Sequence, residues 1–216
     1  MPKRFIPFSD GNIYHVYDKT VESIRIFSND TISTRFINTL TYYRSLKSTM
    51  RYSYLKSCRY GIADQIMKKV VDEGSFRIQI LAYCLMPNHY HLLVRQLHPN
   101  GIEDTMIKTL ISITRLYNTI HDRKGPVFLT QFKAKRIRSE EQLLFVSRYI
   151  HVNPYTSGLI KKINGIYSYR FSSINAYMGK NNPYKIETET IINSKFCKGK
   201  NELYKNYLES LTLPNC

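Results

Sequence analysis

The sequence predicts an α+β sandwich in which an antiparallel sheet carries its helices mainly on one face. Three observations predict it. Strand-length runs and helix-period segments follow in the order strand, helix, strand, strand, helix, strand, helix. The two middle strands meet across Pro87-Asn88, a pair of turn formers, as an antiparallel hairpin. Finally, 43% of the 216 residues are hydrophobic, enough for a sizeable core without disulfide staples.

The elements follow in chain order. Ile13 to Tyr17 is a short run rich in β formers. Beyond Asp30, the residues Ile32, Phe36, Leu40 and Tyr43 fall on one helical stripe, and residues 66–71 suggest a second helical piece. Arg77 to Leu85 and His89 to Arg95 form the central strands. After Gly101 comes the longest periodic segment, in which Ile102, Met106, Leu110, Ile113, Tyr117 and Ile120 recur every three or four residues as a core-facing stripe. Lys124-Gly125-Pro126 interrupts the pattern, and Phe132 to Ile137 reads as a further strand. The next helix spans 140–153, with Ser139 as its cap and Glu140 and Glu141 in its first turn. Pro154 disfavours the helical conformation of the residue before it and sets the helix end near Asn153. Gly179-Lys180-Asn181-Asn182-Pro183 reads as a linker, and the basic run Lys195 to Lys200 precedes a short helix from Glu202 to Leu211. That helix either docks on the core or contacts DNA.

Charge narrows the partners. Lys and Arg number 32 against 16 Asp and Glu, a net charge of +16, which favours a polyanion. A membrane surface would also attract such a chain, yet no segment approaches the roughly 20 apolar residues of a spanning helix. The start Met1-Pro2-Lys3-Arg4-Phe5 lacks a signal-peptide core, so a cytoplasmic location is expected. Cys58, Cys84, Cys197 and Cys216 are scattered without a C-x-x-C pair, which argues against a zinc cluster or a disulfide framework. No G-K-[ST] phosphate loop is present, so a nucleotide cofactor and an ATP-driven motor are not expected.

The chemistry-bearing residues form two motifs. In Leu85-Met86-Pro87-Asn88-His89-Tyr90-His91-Leu92-Leu93-Val94, the histidines sit at i and i+2 of a strand, so both imidazoles point to one face while Tyr90 points to the core. An H-x-H pair also occurs by chance on ordinary surfaces. The second motif is Ser147-Arg148-Tyr149-Ile150-His151-Val152-Asn153-Pro154, in which Tyr149 and Asn153 lie four apart on one helix face. A phenol and an amide oxygen so placed can meet the histidine pair around one cation. His151 is expected at the surface, two residues from Tyr149.

The run A-Y-C-L-M-P-N-H-Y-H-L-L-V, followed by R-Y-I-H-V-N-P-Y-T-S-G-L-I, resembles the HUH-type single-tyrosine transposases, in particular the REP-associated tyrosine transposases. The resemblance covers roughly residues 11–178 and includes Gly125-Pro126-Val127-Phe128 and Phe132-Lys133-Ala134. It implies a ferredoxin-like core, a divalent metal held by His89, His91 and Asn153, and Tyr149 as the nucleophile. It also implies attack on a single DNA strand, giving a 5′-phosphotyrosine link and a free 3′-hydroxyl that can later reverse the step. Single-stranded DNA hairpins are the implied partner. Some relatives exchange the tyrosine helix within a homodimer and others work as monomers, so both assemblies are open.

This chemistry explains the residue types. A divalent cation offsets the charge that builds on a phosphodiester under attack. Two imidazoles with one amide oxygen suit Mg²⁺ or Mn²⁺ at least as well as zinc. A phenol is a weak nucleophile until it loses its proton, so Tyr149 needs the cation or a neighbouring base.

Two regions depart from the family pattern. Residues 44–60 form a basic insertion in which cations alternate with tyrosines, a combination that suits unpaired nucleic acid, although a solvated basic helix fits equally. Residues 179–216 form a basic C-terminal extension. The candidate DNA contacts are Arg51 and Arg59 in the insertion, Lys133, Lys135, Arg136 and Arg138 along the last strand, and Arg148 beside the nucleophile. Two rival classes remain: a non-catalytic single-strand-binding module, and a metal nuclease that activates water and leaves no covalent adduct.

Overall fold

The computed structural model describes residues 7–57, 61–180 and 182–210. Its sheet has four strands: β1 (Ile13–Lys19), β2 (Ile78–Met86), β3 (His89–Gln96) and β4 (Lys133–Arg136). They lie in the order β2-β3-β1-β4, and every neighbouring pair is antiparallel. With α1 (Asp30–Tyr43) between β1 and β2, and α4 (Gly101–Ile120) between β3 and β4, the path is the β-α-β-β-α-β ferredoxin-like arrangement.

Alternation decides which side of each strand is buried. In β1, Tyr14, Val16 and Asp18 are buried while Ile13, His15 and Tyr17 are half-buried. The Tyr90 ring of β3 packs 5.1 Å from Phe36 of α1, so α1 and α4 cover the Tyr90 face. Asn29 caps α1 by accepting from the Ile32 amide, which satisfies one of the unpaired donors at the helix start. Gly101 opens α4 beside β2's entry, where a Cβ would stand 2.5 Å from the Arg77 carbonyl oxygen.

α5 (Glu140–Thr156) lies on the opposite face, against β2 and β3, as the exception to the one-sided helical layer. Ser139 caps it as expected, accepting from the Gln142 amide at 3.1 Å. Its end departs from expectation, because α5 runs through Pro154 to Thr156. A proline removes one donor and disfavours the helical state before it, but the turn beyond still closes: the Ser157 amide donates to Asn153 O and the Ile160 amide to Pro154 O. Asn153 is thereby held inside a regular helix.

The insertion folds onto the core. α2 (Tyr52–Ser57) and α3 (Ile62–Glu73) enclose a second apolar cluster of Tyr42, Tyr43, Tyr52, Leu55 and Val70. Arg44 is fully buried, stacks 4.0 Å over the Phe76 ring, and donates to the carbonyls of Tyr184 and Lys185. The C-terminal segment carries α6 (Ile174–Tyr177), α7 (Glu189–Ile192) and α8 (Asn201–Glu209). Ile186, Ile191, Ile192, Tyr204 and Leu208 belong to the main core, so this extension docks. Cys84 and Cys197 are buried free thiols, and burial pushes the Cys84 thiol above its ordinary range. Among the described residues no helix is long and apolar enough to cross a membrane.

Candidate active site

β3 and β1 form the floor of the site. Register places Tyr17 opposite His91 and Lys19 opposite His89, and cross-strand partners share a face. His15, Tyr17, Lys19, His89 and His91 therefore line the face away from α1. β4 adds Lys133 opposite Tyr17 and Lys135 opposite His15, both exposed on that same face. The turn before β3 is tied down from two sides: the Thr20 amide donates to Asn88 O at 2.9 Å and the Phe27 amide to Pro87 O at 3.0 Å. That fixes where His89 begins.

The two imidazoles have ring centroids 5.1 Å apart and lie nearly perpendicular. His89 Nδ1 donates to Asn88 Oδ1 at 2.8 Å, which puts the lone pair of the neutral ring on Nε2, the nitrogen left for Asn153 or a cation. His91 Nδ1 stands 3.0 Å from His15 Nε2. Burial holds His91 at about 2, helped by the neighbouring His15, His89 and Lys19, and burial with Lys135 holds His15 at about 4. His89 is also lowered, by burial and then Lys19, while a hydrogen bond to Asn153 opposes the shift. All three rings are accordingly neutral near pH 7.

α5 supplies the roof. The Tyr149 ring centroid is 5.2 Å from that of His91 and 6.0 Å from that of His15, within a single chain. Tyr149 is 40% exposed on an otherwise buried stretch of helix. Asn153, one turn on, is buried against His89. The expected quartet of Tyr149, His89, His91 and Asn153 is thus brought together.

Three site neighbours escaped the sequence reading: His15, Tyr17 and Lys19. The alternation of β1 already put them on one face, but nothing in the sequence identified β3 as the partner strand. Asp18 is opposite Tyr90 and points to the other side, where burial raises its carboxyl to about 6. It is no part of the site.

The expected DNA contacts divide. Lys133 and Lys135 flank the histidines, and Arg138 is exposed just before α5. Arg136 pairs with Tyr14 on the opposite face and donates to Asn12 Oδ1 at 2.8 Å. Arg51 is exposed beside α2, far along the chain's helical side, and Arg59 lies outside the described residues. Arg148 is a correction. It is 4% exposed, and its guanidinium donates to the carbonyls of Tyr207 and Ser210 beneath the Tyr207 ring, so it anchors α8 and has no free face for DNA.

His151 is a second correction, being fully buried where a surface position was expected. Its Nδ1 lies 2.8 Å from the Tyr204 hydroxyl and its Nε2 2.8 Å from Ser173 Oγ. Tyr204 also hydrogen-bonds Ser147, and the Tyr83 amide donates to Ser173 Oγ. This network ties α5 to α8 and to β2 on the side of the helix away from Tyr149. Helix period hid it, because residues two apart diverge by about 200° and His151 thus faces inward when Tyr149 faces out.

The chain was compared with known proteins. No family model matches it, and no curated protein is similar to it in sequence. Among solved structures it is similar to a REP-associated tyrosine transposase bound to a REP hairpin, at 14% identity over 87% of this chain and 92% of that one, with a TM-score of 0.50. At that identity the likeness concerns the fold. It agrees with the α+β architecture found here, a four-stranded antiparallel sheet with helices.

Proposed function

We propose that this protein is a single-strand DNA transposase that cleaves and rejoins DNA at hairpin-bearing ends or repeats, using Tyr149 as nucleophile and a 5′-phosphotyrosine intermediate. The observation that carries the reading is the exposed Tyr149 phenol standing over His91 and His15, with Asn153 one turn away against His89. The fold neighbour, itself a tyrosine transposase bound to a REP hairpin, supports the same class.

The residues present fit a divalent cation. His89 and His91 are neutral, His89 has its Nδ1 on Asn88, His91 presents an Nε2 lone pair when its Nδ1 donates to His15, and the Asn153 amide lies alongside. His89, His91 and Asn153 would hold Mg²⁺ or Mn²⁺, which when bound supplies Lewis-acid stabilisation of the phosphate under attack. The chain's own residues perform the rest. Lys19, Lys133 and Lys135, all on the site face, draw the DNA backbone toward Tyr149. The Tyr149 oxygen forms the bond to phosphorus as the bond from phosphorus to the 3′-oxygen breaks; water takes up the Tyr149 proton and supplies the one that leaves the 3′-end as a hydroxyl. Because the phosphodiester energy is retained in the tyrosyl ester, rejoining needs no nucleotide cofactor.

The test uses a labelled single-stranded hairpin substrate resolved on a denaturing gel. Label that stays with wild-type protein and vanishes in Tyr149→Phe supports the proposal. Cleavage that persists in Tyr149→Phe without an adduct assigns the site to a water-using nuclease, and binding without cleavage assigns it to a strand-binding module.

A further inference from the structure

A second cationic surface lies on the outward side of the helical layer, with the sheet between it and Tyr149. A groove of about 440 Å³ runs between α1, the start of α2 and α4. Four cations line it, Arg35, Arg51, Lys108 and Arg115, together with the hydroxyl-bearing Ser53 and Ser112 and no carboxylate. Among the described residues none of the four cations forms an ion pair. Two are braced by aromatic rings instead: the Arg35 guanidinium lies 5.1 Å from the Tyr52 centroid and that of Arg51 lies 6.0 Å from the Tyr54 centroid. Such bracing restricts the side chains without neutralising them.

Four uncompensated positive charges converging on one groove repel each other and weaken the fold unless an anion is drawn in. The spacing suits a polymer. Lys108 and Arg115 are seven residues apart on α4, a rise of about 10 Å, which is about three nucleotides along one strand of a duplex. The groove's own lining offers little to unpaired bases. Its lining tyrosine, Tyr43, is buried, and the exposed Tyr54 ring at its edge already carries the Arg51 guanidinium, 6.0 Å from the ring centroid. Four cations and the hydroxyls of Ser53, Ser112 and Thr119, set around the apolar Ile111 and Leu116 with no vacant ring in the lining, suit phosphate and sugar better than bases.

We propose that this groove binds the phosphate backbone of duplex DNA, such as the stem of the hairpin whose single-stranded flank enters the site at Tyr149. The proposal rests on the strand-transfer reading for the identity of that DNA, but the groove itself is independent of catalysis. Lys108 and Arg115 belong to α4 and none of the four cations touches the histidines.

The experiment measures binding of the full-length protein to two probes across a salt series: a synthetic hairpin with a stem of about ten base pairs and a 5′ tail, and the tail alone. Each phosphate contact removed lowers the slope of log K against log salt by about 0.9. The double variant Lys108→Gln/Arg115→Gln therefore loses about two units of slope on the hairpin while its binding of the tail is unchanged. Arg115→Gln alone, at an exposed position, loses about one. A slope unchanged in both variants, or an equal loss on hairpin and tail, overturns the proposal. Pyrophosphate that raises the melting temperature of wild type but not of the double variant, with the hairpin slopes unchanged, assigns the groove to small phosphorylated ligands and also overturns it. A wild-type protein that forms no tyrosine adduct, yet shows the two-unit slope difference, keeps the groove and discards the strand-transfer reading.

Discussion

His15 offers the sharpest test of how the site is built. At pH 7 its ring is neutral, since its pKa is held at about 4, and the 3.0 Å contact joins its Nε2 to His91 Nδ1. Two neutral imidazoles share one proton in such a contact. If His91 Nδ1 donates, its Nε2 is free to bind a cation; if His15 donates, His91 carries its proton on Nε2 and is blocked. A cation-ready site thus needs His15 as acceptor. Replacing His15 with Phe fills the space but removes the acceptor, leaving the His91 tautomer and ring angle unsupported. Loss of such a supporting partner lowers metal affinity by about 10- to 100-fold, or about 1.4 to 2.8 kcal/mol. His15→Gln, which keeps an acceptor oxygen, recovers part of it. Calorimetric titration of Mn²⁺ into the full-length protein reads this directly, without DNA. Wild-type Mn²⁺ affinity in His15→Phe would refute the tautomer argument, whatever its effect on cleavage.

Three further outcomes follow from the geometry. His89→Ala abolishes metal-dependent cleavage while hairpin binding in a gel-shift assay stays within a few-fold of wild type, and cleavage that survives EDTA contradicts the proposed metal role. Arg148→Met leaves the salt slope of DNA binding unchanged but destabilises the fold by about 2 to 3 kcal/mol in urea denaturation, because two charge-assisted hydrogen bonds to α8's end are lost; a reduced slope with unchanged stability restores Arg148 as a phosphate contact. Acid weakens the fold. His15, His91 and His151 have folded pKa values of about 4, 2 and 3, below the unfolded value, so the unfolded chain takes up protons first and each group removes up to about 1.4 kcal/mol per pH unit as pH falls below about 6.5. Asp18, raised to about 6, acts in the opposite sense and offsets one of the three. Denaturant midpoints that stay flat from pH 7 to pH 5 would contradict neutral burial of these histidines.

Much of this molecule was legible before folding. Periodicity located every strand and long helix of the core, because alternation and the 3.6-residue repeat follow from backbone geometry alone. Ser139 as a cap and the shared face of His89 and His91 are local facts of the same kind. The interruption at Pro154 was overstated, since a proline's local preference yields when the surrounding turn can still close.

What the sequence by itself determined is the period, the charge and the two motifs whose spacing aligns Tyr149 with Asn153 and His89 with His91. Only the tertiary structure decided that β1 lies beside β3, which brings His15, Tyr17 and Lys19 to the histidines. It also decided that Arg148 and His151 turn inward to hold α8 and β2, and that Arg35, Arg51, Lys108 and Arg115 meet in one groove. The physical reason is range: side-chain direction along one element is fixed by bonds a few residues long, whereas neighbours across strands and helices are selected by burial of the whole chain.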